Sequence, residues 1–138
     1  MPTSKVAAIE KTLQKTNEWL VRIMQGLGTA EPEQAYAVLR ATLHSLRDAL
    51  PPEEATAIGS QLPLMMRGIY YEGWRASPGA PQEAPADRFL RRVTEELGRT
   101  AAEARLDVVL QVLSREIASD GIDVQRILPE SLRASWRK

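Results

Sequence analysis

The chain has 138 residues, with 18 basic and 18 acidic side chains, one histidine and no cysteine. The lack of cysteine excludes a disulfide framework, thiolate metal sites, iron–sulfur ligation and a cysteine nucleophile. Residues 1–74 carry 7 basic and 8 acidic groups, so neither half has the basic footprint of a nucleic-acid binder. The opening stretch, MPTSKVAAIEKTLQKTNEWL, has polar residues at every turn. It reads as neither a signal peptide nor a membrane span, and a cytoplasmic protein is expected.

The apolar period is helical almost throughout. A first helix has Val6, Ile9, Leu13, Leu20, Ile23, Met24 and Leu27 on one stripe, with Thr3 or Ser4 as its cap and Gly26 and Gly28 near its end. Thr16-Asn17 offers a possible break. A second helix opens at Pro32 and buries Ala35, Leu39, Thr42, Leu43, Leu46 and Leu50. Pro51-Pro52 stops it and starts a third, with Glu53 and Glu54 at the positive end of the helix dipole. Pro63 ends the third helix and opens a fourth.

Residues 75–86, with three prolines and one glycine, read as a linker. Helices resume with Asp87 as cap and Phe89, Leu90, Val93 and Leu97 as the apolar face, closed by Gly98. Thr100-Ala-Ala-Glu103 is a capping box. It opens a helix carrying Leu106, Val109, Leu110, Leu113 and Ile117. Short helices follow around Val124 and after Pro129. The expected fold is all-α, a compact bundle of about seven to eight helices forming one domain over residues 1–138. A chain of this size buries roughly 68% of the surface its unfolded form exposes, enough for a core without metal or disulfide staples.

The chain also repeats itself. WLVRIMQGLG from Trp19 parallels FLRRVTEELG from Phe89, and LPLMMRGIY from Leu62 parallels LPESLRASW from Leu128. Between them, Leu39, Leu43, Leu46 and Leu50 align with Leu106, Leu110, Leu113 and Ile117. Half-repeats over about 17–74 and 87–136 are expected to pack against each other across a shared core.

TNEWL, AYAVLRATLHSLRDALPPEEA, QLPLMMRGIYYEGW and the later FLRRV resemble an uncharacterised bacterial family, domain of unknown function 2267. The resemblance covers almost the whole chain and is most specific from Ala35 to Trp74. It implies a helical, loosely globin-like fold, and it carries no activity, cofactor or catalytic residue.

Candidate chemistry is sparse. His44 lies about 140° from the centre of the second helix's stripe, so it is read as a surface histidine or one meeting a neighbouring helix, with haem ligation as the sharper reading. Arg40, His44 and Arg47 share a helix side at spacings of four and three. With Arg67 or Arg75 they could hold an anion, or form a salt-bridged face with Asp48, Glu53, Glu54 and Glu72. The carboxylate pairs Glu53/Glu54, Glu95/Glu96 and Asp120/Asp123 fall at helix starts, on polar faces or in a loop, where capping and solvation are their usual roles. Asp120 to Asp123 lacks the spaced ligands of a calcium loop.

Tyr70 and Trp74, sharing a helical face, and Tyr71, 100° around, read first as core. They are also the first candidates for a partner surface, with Gly68 and Gly73 allowing close backbone approach. No catalytic motif occurs, and one histidine without cysteine cannot build a triad or a multi-histidine metal site. The expectation is a non-enzymatic protein–protein interaction module, self-associating or binding another protein. It needs no cofactor and binds no nucleic acid or membrane. The alternative is a small-molecule sensor or carrier with an apolar pocket between the halves, taking haem or an acyl chain.

Overall fold

A computed structural model describes residues 6–75, 83–118 and 121–136. They are helical, with no strand among them. In chain order they form α1 (Ala7–Leu27), α2 (Pro32–Ala49), α3 (Pro52–Gly59), α4 (Leu64–Tyr71), α5 (Pro85–Leu97), α6 (Ala101–Ala104), α7 (Leu106–Glu116), α8 (Val124–Ile127) and a terminal 3-10 helix (Glu130–Ser135). No helix among them is long and apolar enough to cross a membrane.

The helix punctuation follows the sequence closely. Pro32 and Pro52 sit in first turns, and Gly28 and Gly98 close α1 and α5 in the left-handed conformation that costs glycine nothing. The Thr100–Glu103 capping box is formed, with each side chain satisfying the other residue's N–H.

Four boundaries differ from expectation. α1 runs unbroken through Thr16-Asn17, because the Thr16 hydroxyl turns back onto the Thr12 carbonyl, 2.7 Å away, instead of capping a new start. α5 begins at Pro85, inside the expected linker, with Ala84 as N-cap; Asp87 lies in the first turn instead of at the cap. The helix opened by Thr100 stops at Ala104. Arg105 adopts φ +59, and α7 starts afresh behind it. α4 ends at Tyr71, so Trp74 lies beyond it. The Thr3 and Ser4 caps, Asp120 and residues 76–82 of the expected linker lie outside the described residues.

Helix α2 is the axis of the bundle. α1, α3, α4, α5 and α7 all pack on it, most extensively α5. From Val38 to Leu50 every residue except Arg40 and Asp48 is buried. The buried apolar side chains form one cluster running from Trp19 to Trp136, which includes Leu39, Leu43, Leu46 and Leu50 of α2 and its end and Leu106, Leu110, Leu113 and Ile117 of α7 and its end. The two Leu-Pro-x-x-x-Arg stretches share a contact: Arg67 donates to the Leu62 carbonyl at 3.1 Å, and Arg133 donates to the Leu128 carbonyl at 3.2 Å. Gln61 ties the α3–α4 turn to the end of α7, its amide bonding both the carbonyl and the N–H of Ala118 at 2.6 and 2.7 Å.

Close backbone approach occurs at other glycines than Gly68 and Gly73, around which a Cβ would meet nothing within 4 Å. It occurs at Gly26, where a Cβ would lie 2.5 Å from Val108 Cγ1 on α7. Val108 is β-branched and has few rotamers to retreat into. Gly26→Ala is therefore expected to cost about 1–3 kcal/mol through overpacking. Gly68→Ala, in the open and within a helix, is expected to be neutral or to stabilise by up to about 1 kcal/mol. Paired urea melts check both.

Candidate functional site

The second helix places Arg40, His44 and Arg47 on one side, as their spacing requires. That side faces the C-terminal end of α4 and the last turns of α5, not solvent. Arg47 is 1% exposed and His44 wholly buried.

Each side chain has defined partners. Arg47 Nη1 donates to the carbonyls of Tyr70 at 2.8 Å and Glu72 at 2.6 Å, and Nε donates to Asp48 Oδ1 at 2.9 Å. His44 Nε2 faces the Ile69 carbonyl at 2.7 Å, and Nδ1 faces Glu96 Oε2 at 2.6 Å. The last carbonyls of a helix lack intrahelical donors and carry the negative end of its dipole. His44 and Arg47 supply cationic or polar N–H groups there, so α2 side chains cap α4.

Glu96 on α5 is the centre of the cluster. Besides His44 it accepts from Arg40 Nη1 (3.0 Å) and Arg92 Nε (2.8 Å). Burial pushes its carboxyl pKa up, but the hydrogen bonds from His44 and Arg92, with their charges, outweigh burial and hold it below the ordinary value. Arg40 also grips Glu72 through two N–H groups at 2.8 and 3.0 Å, which lowers the Glu72 pKa. Arg92 approaches Asp48 at 3.8 Å.

The sequence grouping of Arg40, His44 and Arg47 thus holds in space, and Asp48 and Glu72 are among their partners. Glu53 and Glu54 are not: Glu54 pairs with Arg126 at 3.4 Å. Arg67 lies elsewhere, donating to the Gly59, Ser60 and Leu62 carbonyls, and Arg75 is exposed. The reading of Glu96 as a polar-face residue is corrected: its side chain is 13% exposed. Arg92 is the member of the cluster that the sequence reading did not name, and Glu96 was named only as half of a carboxylate pair.

His44 meets neighbouring helices and is not on the surface. Both ring nitrogens are engaged, so coordinating a haem iron would require breaking one of these bonds. Among the described residues, no group of three or more histidine, cysteine, aspartate or glutamate side chains could hold a metal ion.

The aromatic segment divides. Tyr70 is fully buried, and its hydroxyl donates to the Ala55 carbonyl of α3 at 2.7 Å; burial raises its pKa further out of reach of ionisation. Tyr71 and Trp74 are half-buried, with ring centroids 5.4 Å apart, and Tyr71 meets Tyr70 edge-on at 5.0 Å. The expected Tyr70–Trp74 face does not form, because the helix ends between them. Gly59 is the close approach that admits the two tyrosines: a Cβ there would strike the Tyr71 hydroxyl.

Two surface concavities lie near these elements. One, of about 420 Å³, is bounded by Tyr36 of α2 and by Met65, Gly68, Ile69, Tyr71 and Glu72 of α4 and its end. Beside it Leu64 is exposed, and the Met65 N–H is received by the Thr12 hydroxyl of α1 at 2.8 Å. The other, of about 630 Å³, lies between α1 and α7 and is lined by Arg22, Gln25, Arg105, Gln111 and Arg115 among others. Arg22 and Arg105 are paired with Glu116 and Asp107.

The model of one protein family, described as an uncharacterized conserved protein (DUF2267), matches residues 16–135. No curated protein matches the chain.

Proposed function

The chain belongs to the DUF2267 family, and from that membership and the geometry above we propose a helical module that works through protein–protein contact, a second copy being the partner to test first. One observation carries this reading. α4 buries Met66 and Tyr70 completely, yet leaves Leu64 60% and Met65 38% exposed, beside Tyr36 at 40%. Tyr36 and Met65 line the same shallow concavity. Scattered apolar residues on a surface need no explanation, but large side chains grouped on a concave rim are typical of contact sites. By contrast, the His44–Arg47–Glu96 cluster spends its hydrogen-bonding capacity inside the protein. It stiffens the end of α4 that borders this face.

Sedimentation of the full chain over a range of concentrations tests the reading. The expected result is reversible dimerisation that weakens at least tenfold, about 1.4 kcal/mol, when Leu64 and Met65 are both changed to glutamate, with the helical circular dichroism unchanged. A chain that stays monomeric throughout, or a dimer indifferent to the double change, defeats self-association through this face.

A second reading, a small-molecule carrier, draws on the concavity between α1 and α7. Its lining of arginines, glutamines, Asp107 and Glu116 suits a small polar molecule better than haem or an acyl chain. A ligand that co-purifies and survives in native mass spectra would favour it.

A further inference from the structure

We propose that His44 is held as an imidazolium that latches α4 and α5 onto α2, and that losing its second ring proton loosens the end of α4. The argument is one of donors and acceptors. The Ile69 carbonyl has no proton to give, so Nε2 must donate to it, 2.7 Å away. Glu96 accepts guanidinium N–H groups on both oxygens, from Arg40 on Oε1 and from Arg92 on Oε2. A carboxyl accepting on both oxygens from permanently charged donors is a carboxylate. With Glu96 ionised, an unprotonated Nδ1 would set two lone pairs against each other at 2.6 Å. Nδ1 therefore carries a proton too, and the short distance fits a charge-assisted bond.

The charged and titratable groups around the ring are Arg40, Arg47 and Asp48 on α2, Tyr70 and Glu72 at the end of α4, and Arg92 and Glu96 on α5. With the imidazolium they make four cations against three carboxylates. Removing one ring proton balances the cluster but leaves a single N–H for two acceptors. A hydrogen bond to a charged group is roughly twice as strong as one to a neutral group, so the remaining N–H stays on Glu96. The Ile69 carbonyl then loses its side-chain donor, and the end of α4 is tied to α2 only by Arg47 and by the more exposed Arg40–Glu72 pair. Because α4 carries Leu64 and Met65, the latch would tune the face described above. That coupling rests on the proposed contact function; the latch itself does not.

His44 is the only histidine in the chain, so its ring gives an unambiguous nitrogen spectrum in the 15N-labelled full-length protein. The expected spectra, taken across about pH 5 to 9, show both nitrogens protonated at the acid end. As the ring titrates, hydrogen exchange, corrected for its intrinsic pH dependence, should speed up at the last turn of α4 but not in α7. A ring with one bare nitrogen at the acid end overturns the proposal, as does a titration that leaves α4 protection unchanged. Sedimentation of the wild type over the same range reads the coupling separately. Dimerisation should weaken as the ring deprotonates; if it does not while the latch signals appear, the coupling fails and the latch stands, and the Leu64 and Met65 double change decides the contact reading on its own.

Discussion

Arg47→Met is expected to lower the unfolding free energy by about 3–5 kcal/mol, the range for removing one partner from a buried, hydrogen-bonded charge cluster. Methionine fills much of the stem's volume, so the loss does not come from a cavity. It comes from the Tyr70 and Glu72 carbonyls, which lose the guanidinium N–H groups that Arg47 brings to them. Arg47→Lys is expected to recover only part, since one ammonium cannot reproduce the fork that reaches both carbonyls and Asp48. Arg40→Ala is the comparison that gives this meaning. Arg40 has comparable ion pairs, but its side chain is 35% exposed, and the expected loss is below about 1 kcal/mol. Urea unfolding with a common m-value checks all three. Equal losses at Arg40 and Arg47 would mean that burial at the end of α4 has been misjudged.

Much of the fold is legible because its punctuation is local chemistry. Proline in first turns, glycine at the ends of α1 and α5, and the Thr100–Glu103 box each act within four residues, so a window of sequence contains both cause and effect. The boundaries that escaped are those decided at longer range. Arg105 takes a left-handed conformation that local preference assigns to glycine or asparagine, and nothing in residues 100–110 announces it. Thr12 and Thr16 look like exposed polar positions of α1, yet both are buried, with the Thr12 hydroxyl accepting a hydrogen bond from the Met65 N–H of α4.

The cluster around Glu96 was half legible. Spacing put Arg40, His44 and Arg47 together, but the 140° offset was measured from a single stripe, as if α2 had one buried side. From Val38 onward it has neighbours on nearly every side, and only Arg40 and Asp48 keep part of their side chains in solvent. The signal was present: only three of the thirteen residues from Val38 to Leu50 are charged, Arg40, Arg47 and Asp48, too few for a solvated face. Glu96 had a signal too. It lies three residues after Val93 and seven after Phe89, on the very stripe that α5 buries. A carboxylate on an apolar stripe predicts a cation waiting on the facing helix. Which helix faces it is tertiary information, and the sequence alone does not contain that distance.

Glu96→Gln is expected to cost about 3 kcal/mol at neutral pH, and the cost should vanish in acid. The sign follows from the direction of the Glu96 shift. Its pKa in the folded chain lies below the ordinary carboxylate value, so the folded state favours the ionised form. That stability is fully present above the unfolded pKa of about 4.3 and is lost as the pH falls through the lower, folded value. At that point wild-type Glu96 is itself neutral, and glutamine is a fair imitation of it. The wild-type curve should therefore converge on the variant's from above as the solution is acidified. Glu72, Glu83 and Glu103 are also held low by their hydrogen-bond partners, but they face solvent, where screening leaves little to lose. Glu83 and Glu103 lie outside the cluster and cancel in the difference; Glu72 shares Arg40 with Glu96 and does not cancel fully, but its exposure keeps that remainder small. Chemical unfolding of the two proteins at several pH values measures that difference directly. A gap that persists in acid would place the cost of the substitution in packing instead of charge, and Glu96 would then not be the ionised hub on which the His44, Arg40 and Arg92 geometry depends.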